Sequence, residues 1–160
     1  MIRRIALLLA VLTLAAPARA QDDVRPFAQV PLVPATEQLP DDVEAMVWAF
    51  WPSYYKSGGE NTFGREHLRL GRIDLNGDDR AELVLMIDAP GWESAQGNPF
   101  VVAQWRKNRW VAVGWGWGDE DTVFATTETL GGWHSIDGGK VVMRWQGREY
   151  RLEDKATATP

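Results

Sequence analysis

Residues 74–87 read DLNGDDRAELVLMI, a loop rich in oxygen-bearing side chains that leads directly into an apolar stretch. From Ala81 to Ile87 the residues are almost all apolar, which is the pattern of a strand in the centre of a sheet. The Asn and Gly residues in front of this run favour a tight turn. We therefore expect a fold organised around a β-sheet, with a polar loop at one end of a central strand.

The chain before this stretch predicts one amphipathic helix. Asp41 is a good N-cap, and Glu44 follows it at the spacing of a capping box. Apolar residues then recur at helical spacing, at positions 43, 46, 47, 50, 51 and 54. Pro52 would clash with the carbonyl group four residues earlier, so we expect the helix to kink or end near Trp51.

The chain after residue 68 has the period of two that is typical of strands. Two hairpins are expected, at Lys107–Arg109 and at Asp137–Gly139. The expected strands cover residues 68–73, 81–87, 100–106, 110–117, 123–129, 133–136, 140–145 and 148–152. The sequence thus predicts an α+β fold, with one N-terminal helix packed on a mainly antiparallel β-sheet of about six to eight strands.

The N-terminus has the features of a secretory signal peptide. Arg3 and Arg4 form a basic region, and residues 5–16 are uncharged and mostly apolar. Ala18 and Ala20 supply the small residues required for cleavage after Ala20. The protein is therefore expected to be periplasmic or secreted after this cleavage, and no other apolar stretch is long enough to span a membrane.

The remaining chain divides into three parts. Residues 21–40 form a proline-rich extended lead-in, residues 41–154 a single α+β domain, and residues 155–160 a disordered tail. Removal of the signal peptide takes away three arginines and no acid, which changes the net charge from −5 to −8. This acidic balance argues against nucleic acid as a partner. The absence of cysteine excludes disulfide scaffolds and thiol catalysis.

The loop has the spacing of a calcium site. Oxygen-bearing side chains occur at loop positions 1, 3, 5 and 9, which are Asp74, Asn76, Asp78 and Glu82. Calcium takes six to eight oxygen ligands, and alternate positions of a tight turn can converge on one ion. Arg80, at position 7, would contribute its backbone carbonyl. A metal-free Asx-turn with the same sequence is the alternative.

The spacing resembles the loop of FG-GAP and VCBS-type repeats, which reads D-x-N-G-D-G-x-x-[DE]-L. The match covers residues 74–83, and in that family the loop lies between two strands and binds calcium. The resemblance implies a structural calcium ion held by the residues named above. Asp79 replaces the usual glycine at a position that requires a positive φ, which Asp tolerates better than most residues. Residues 132–133 and the W-x-G-x-x-Y pattern at 145–150 also resemble small exported bacterial proteins with one such loop.

Most of the nine tryptophans are expected in the core. For example, Val111, Val113, Trp115 and Trp117 alternate along one strand and should share one face. Trp92 lies in the Pro- and Gly-rich loop at residues 88–99, so it and the adjacent Glu93 are candidate binding residues.

No catalytic set is evident. Ser53 and Lys56 have S-x-x-K spacing but lack the accompanying motifs, and adjacent residues of a strand, such as His134 and Ser135, point to opposite faces. The leading hypothesis is a non-enzymatic exported module of the inhibitor or immunity type that binds another protein, as a monomer or weak oligomer. The alternatives are a carbohydrate or cell-wall binding module that uses exposed tryptophans, and a small hydrolase with acids at positions 93, 119 and 121.

Overall fold

The computed structural model describes residues 26–35, 39, 41–51 and 63–155. These residues form ten strands and one α-helix. The elements are β1 (Pro26–Gln29), β2 (Val33–Pro34), α1 (Asp41–Phe50), β3 (Leu68–Ile73), β4 (Glu82–Ile87), β5 (Asn98–Arg106), β6 (Arg109–Gly118), β7 (Phe124–Leu130), β8 (Trp133–Asp137), β9 (Val141–Trp145) and β10 (Tyr150–Asp154).

The predicted α+β fold with a single sheet is wrong, because the protein is mostly β. The strands form two five-stranded antiparallel sheets, with strand orders β2-β3-β4-β5-β6 and β1-β7-β8-β9-β10. The helix lies mid-chain rather than at the N-terminus of the fold, and it has only ten residues. A single helix packs on one face of a sheet, so the other face must be buried against a different element. The sheet β1-β7-β8-β9-β10 covers the face of the other sheet that the helix does not contact.

The sheet that contains β4 is therefore buried on both sides. All six residues of β4 are buried. Val84 and Met86 belong to the core between the two sheets, whereas Leu83, Leu85 and Ile87 belong to the core under the helix. Successive residues of a strand point to opposite faces, so a strand covered on both faces needs a continuous apolar run. The run identified in the sequence corresponds to this central strand.

The lead-in residues contribute a strand to each sheet. β1 pairs with β7 in one sheet, and β2 pairs with β3 in the other. Between them Val30 and Leu32 are buried in the inter-sheet core. A side chain at Gly71 would bring its Cβ within 2.6 Å of a Val30 methyl group, so the close approach of this segment requires glycine there. Residues 26–35 thus tie the two sheets together along one edge.

A β-bulge in β6 changes which face its side chains occupy. Val102 pairs with Gly114 and Ala103 with Ala112, so Val113 is an extra residue in β6. Beyond the bulge, Gly114 and Gly116 face the other sheet, where a Cβ on Gly114 would lie 2.5 Å from the Tyr150 Cβ.

Trp115 and Trp117 consequently point away from the inter-sheet core, and Trp115 is 44% exposed. The expectation that they share a face with Val113 is wrong for this reason, because a bulge shifts the alternation by one residue.

The helix α1 packs on the outer face of the central sheet. It buries Val43, Met46 and Val47, as its helical spacing predicts, and leaves Trp48 56% exposed. Within the described residues, no helix has the length and apolar character needed to cross a membrane. The predicted signal peptide, the residues after Trp51 as far as 62, and the tail from 156 onward lie outside the described residues.

Candidate functional site

The candidate calcium loop connects β3 to β4, and the strands pair up to its base, where Ile73 lies opposite Glu82. Leu75 anchors it: its side chain is fully buried in the inter-sheet core, and its carbonyl accepts a hydrogen bond of 2.8 Å from the backbone N–H of His134 in β8. Tyr150 donates from its hydroxyl to the carbonyl of His134 at 2.8 Å. The loop is thus attached to both sheets.

Three consecutive Asx-turns shape the exposed side of the loop. Asp74 Oδ1 accepts from the N–H groups of Asn76 (3.2 Å) and Gly77 (2.8 Å). Asn76 Oδ1 accepts from the N–H of Asp78 at 2.9 Å, and Asp78 Oδ1 accepts from the N–H of Arg80 at 2.9 Å. Each of these three side chains therefore accepts a hydrogen bond from the backbone two residues further along the loop.

Two left-handed residues close the turn. Gly77 has a φ of 72° and Asp79 a φ of 64°, so Asp79 adopts the positive φ expected of its position. The N–H of Asp79 donates to Asp74 Oδ2 at 3.0 Å. Slight burial acts to raise the pKa of Asp74, but the backbone N–H donors around it outweigh this effect and hold its pKa below the usual value.

Glu82, at the start of β4, forms the buried side of the site. It is 1% exposed, its Oε2 accepts from the N–H of Leu75 at 2.9 Å, and its Oε1 accepts from Asn76 Nδ2 at 3.3 Å. Burial raises the pKa of Glu82 to about 7, and the negative charges of Asp78 and Asp74 add to this, while the Leu75 N–H opposes it. A positive charge beside the carboxylate would relieve this burial cost as a proton does.

The amide of Asn76 lies between two carboxylates. Its Nδ2 donates to Asp78 Oδ2 at 3.2 Å and to Glu82 Oε1 at 3.3 Å. The donor set of two Asp, one Glu and one Asn suits calcium chemically. In the described part of the chain, however, no three His, Asp or Glu side chains are grouped closely enough to hold a metal ion. Ion binding would require the Asn76 amide to turn its oxygen inward.

Trp92 and Glu93 lie in the loop after β4, at the end of that strand opposite the calcium loop. Trp92 is half-buried and packs against the helix-side core, with its ring 4.9 Å from that of Phe63 at a steep angle. Its indole N–H is buried and has no hydrogen-bond partner in the described structure. Glu93 is exposed and accepts from the N–H of Gly91 at 2.9 Å. Their role in binding stays a prediction.

The other polar residues singled out in the sequence have separate contacts. His134 Nδ1 lies 2.7 Å from the carbonyl of Thr126, its ring stacks on Phe27, and Ser135 is fully buried. Asp137 pairs with Lys155 at 2.7 Å. These contacts do not assemble a catalytic triad. Ser53 and Lys56 lie outside the described residues.

One set of residues was missed in the sequence analysis. The β5–β6 turn reads Trp105-Arg106-Lys107-Asn108-Arg109-Trp110, so cations and indoles are concentrated at its tip. Lys107 and Asn108 have φ values of 49° and 59°, which makes this the two-residue turn of a tight hairpin. Arg72 and Arg80 line a small cavity with Ala81 and the two tryptophans. The charge pattern of the turn was the available signal.

Comparison of the chain with protein-family models, with curated proteins and with solved structures finds no match.

Proposed function

We propose that this chain is an exported, non-enzymatic module whose loop at residues 74–82 binds one calcium ion in a structural role. The observation that carries the proposal is the position of Glu82. Its buried carboxylate belongs to the central strand, yet it hydrogen-bonds to Leu75 and Asn76 of the loop. An ion held between Glu82 and the exposed loop oxygens would connect the surface turn to the core.

Calcium would replace the two hydrogen bonds from the Asn76 amide with stronger ionic contacts to the carboxylates. The side-chain NH2 group of Asn76 offers only partial positive charge to two carboxylates, whereas a divalent cation would neutralise both carboxylates. The Asx-turns of Asp74 and Asp78 already order the loop, and ion binding would add a rotation of the Asn76 amide, whose Nδ2 now faces Asp78 and Glu82. We expect a dissociation constant on the order of 10⁻⁴ to 10⁻³ M, as in extracellular modules.

The test is thermal unfolding followed by tryptophan fluorescence, with 10 mM calcium against chelator. With a dissociation constant of about 1 mM, ligand linkage stabilises the protein by about 1.4 kcal/mol, which raises Tm by roughly 3–6 °C. The variant Asp78→Asn should lose most of this shift. The matched control Asp121→Asn, in an exposed loop at the opposite end of β6, should keep it. Equal Tm values with calcium and with chelator, together with no calcium heat by calorimetry, would contradict the proposal.

The second part of the proposal is that the module binds another protein. Its support is the exposure of large apolar side chains on the helix side, where Trp48 is 56% and Trp115 44% exposed. Large indoles in such positions are common anchors of protein interfaces. Immobilised protein should recover a specific partner from a periplasmic extract, and the variant Trp48→Ser should recover less of it. Recovery of cell-wall saccharide instead would favour the carbohydrate-binding alternative.

A further inference from the structure

The cations of this acidic chain divide into two groups. Five of those in the described residues form ion pairs with carboxylates, namely Arg65, Arg69, Arg144, Arg151 and Lys155. Lys140 donates to the backbone carbonyl of Ala95. Seven cations therefore form no ion pair within the described part of the chain: Lys140 and, besides it, Arg72, Arg80, Arg106, Lys107, Arg109 and Arg148.

Six of these seven, all except Lys140, lie at one end of the molecule, which we call the basic end. Lys107 is in the β5–β6 turn, and Arg106 and Arg109 flank it. Arg106 donates to the backbone carbonyl of Arg148 in the β9–β10 turn at 3.3 Å. The start of β4 pairs with the end of β5, which places the calcium loop and Arg80 beside this hairpin tip.

Indole rings are interleaved with these cations. Trp105 and Trp110 are cross-strand neighbours whose ring centroids are 5.4 Å apart. The guanidinium of Arg72 lies 5.8 Å from the Trp110 ring centre, and that of Arg106 lies 5.9 Å from the Trp145 ring centre. Stacking on aromatic rings holds guanidinium groups in place while leaving their N–H donors available to carboxylates.

We infer that the basic end is a docking surface for an acidic segment of another protein. Charge complementarity carries the inference, because six cations that form no ion pair in the described residues are gathered at one end and can bind the carboxylates of a partner. A polypeptide fits better than a sugar or a nucleobase. Trp145 is 7% exposed beneath Arg106, so its ring offers little open face for stacking, and the guanidinium of Arg72 lies over the ring of Trp110. The combination of Arg and Trp is typical of protein interface anchors.

The spread of the cations also favours an extended partner. They come from β3, the loop before β4, the β5–β6 hairpin and the β9–β10 turn, so they belong to both sheets. The cavity lined by Arg72, Arg80, Ala81, Trp105 and Trp110 has a volume of about 320 Å³, enough for an acidic side chain, while the remaining cations lie beyond it. This inference rests on the protein-binding part of the proposed function and deepens it.

The test is fluorescence anisotropy of labelled poly-L-glutamate with the full-length mature protein in chelator. The variant Arg72→Ser/Arg109→Ser removes two exposed cations of the basic end and should weaken binding by roughly tenfold. The control Lys140→Ser/Lys155→Ser removes the same charge near the opposite end of β6 and should change binding by less than about twofold. Unfolding curves verify that both variants fold.

Three results would overturn the inference. Equal losses in the two double variants would show that bulk charge, rather than this surface, governs binding. Equally tight or tighter binding of polygalacturonate or oligodeoxythymidylate would show that the surface does not select a polypeptide. Failure of poly-L-glutamate to bind, while a partner is still recovered from a periplasmic extract, would refute the basic end as the docking surface and leave the proposed protein-binding role standing.

Discussion

Two polar loops leave opposite ends of β4, and the structure uses them in different ways. The loop before β4 turns its oxygens toward its own backbone N–H groups and inserts Leu75 between the sheets. The loop after β4 folds Trp92 down on the helix-side core. The first loop is organised by hydrogen bonds and one buried anchor, and the second by the packing of one large ring. The two loops therefore give a candidate ion site at one end of the strand and a hydrophobic cover at the other.

The largest effect is expected at the anchor of the first loop. Leu75→Ala should lower the free energy of unfolding by about 3–4 kcal/mol, because the side chain is fully buried and its removal leaves a cavity between the sheets. Urea unfolding measures this change. Leu130→Ala, at a position 40% exposed, serves as the control and should cost less than about 1 kcal/mol. Equal costs would mean that the first loop is not anchored by packing.

The second effect is a pH dependence of the free energy of unfolding, which we expect to arise from the first loop and not from the second. The pKa of Glu82 is raised to about 7 in the folded protein, whereas an unfolded glutamate titrates near 4.5. The folded state therefore binds more protons between these two values, so stability is greatest below about pH 4.5 on this account and falls as the pH rises to about 7. In chelator, this titration should contribute about 3 kcal/mol to the free energy of unfolding at low pH.

The variant Glu82→Gln isolates this contribution, because it removes the titrating group and keeps a hydrogen-bonding side chain of similar size. Urea unfolding across pH 4–8 should show that the free energy of unfolding falls less with rising pH for this variant than for the natural chain. Glu93→Gln, in the second loop, should leave the fall unchanged, since Glu93 is exposed. Identical pH curves for the natural chain and Glu82→Gln would refute the assignment.

The contrast between the loops also shows what the sequence can predict. The apolar run at 81–87 identified a central strand, and the Asx spacing of Asp74, Asn76 and Asp78 predicted the turn geometry, because both depend on near neighbours in the chain. The second sheet could not be predicted in this way. It depends on which distant segment covers each face of β4, and a two-residue strand such as β2 has no periodicity to detect.

One local feature misled the prediction of which face the β6 side chains occupy, and one surface was not predicted at all. The bulge at Val113 shifts the alternation of β6, and a period-two pattern contains no mark of an inserted residue. The alternating glycines of G-W-G-W-G were the available signal, since Gly114 and Gly116 allow the close approach of the second sheet. The basic end was missed because the net charge of the chain is negative, and a total charge does not show where individual charges lie.

The smallest effect is expected at Trp92, the ring of the second loop, which packs on the helix-side core. Trp92→Ala should cost about 2 kcal/mol, because a half-buried ring loses its contact with Phe63. Trp92→Phe should change stability by less than about 1 kcal/mol, since it keeps an aromatic ring and removes an N–H that is buried without a partner. Urea unfolding measures both. A cost for Trp92→Phe as large as that for Trp92→Ala would mean that the indole N–H has an essential acceptor, and the second loop would then depend on hydrogen bonding as the first does.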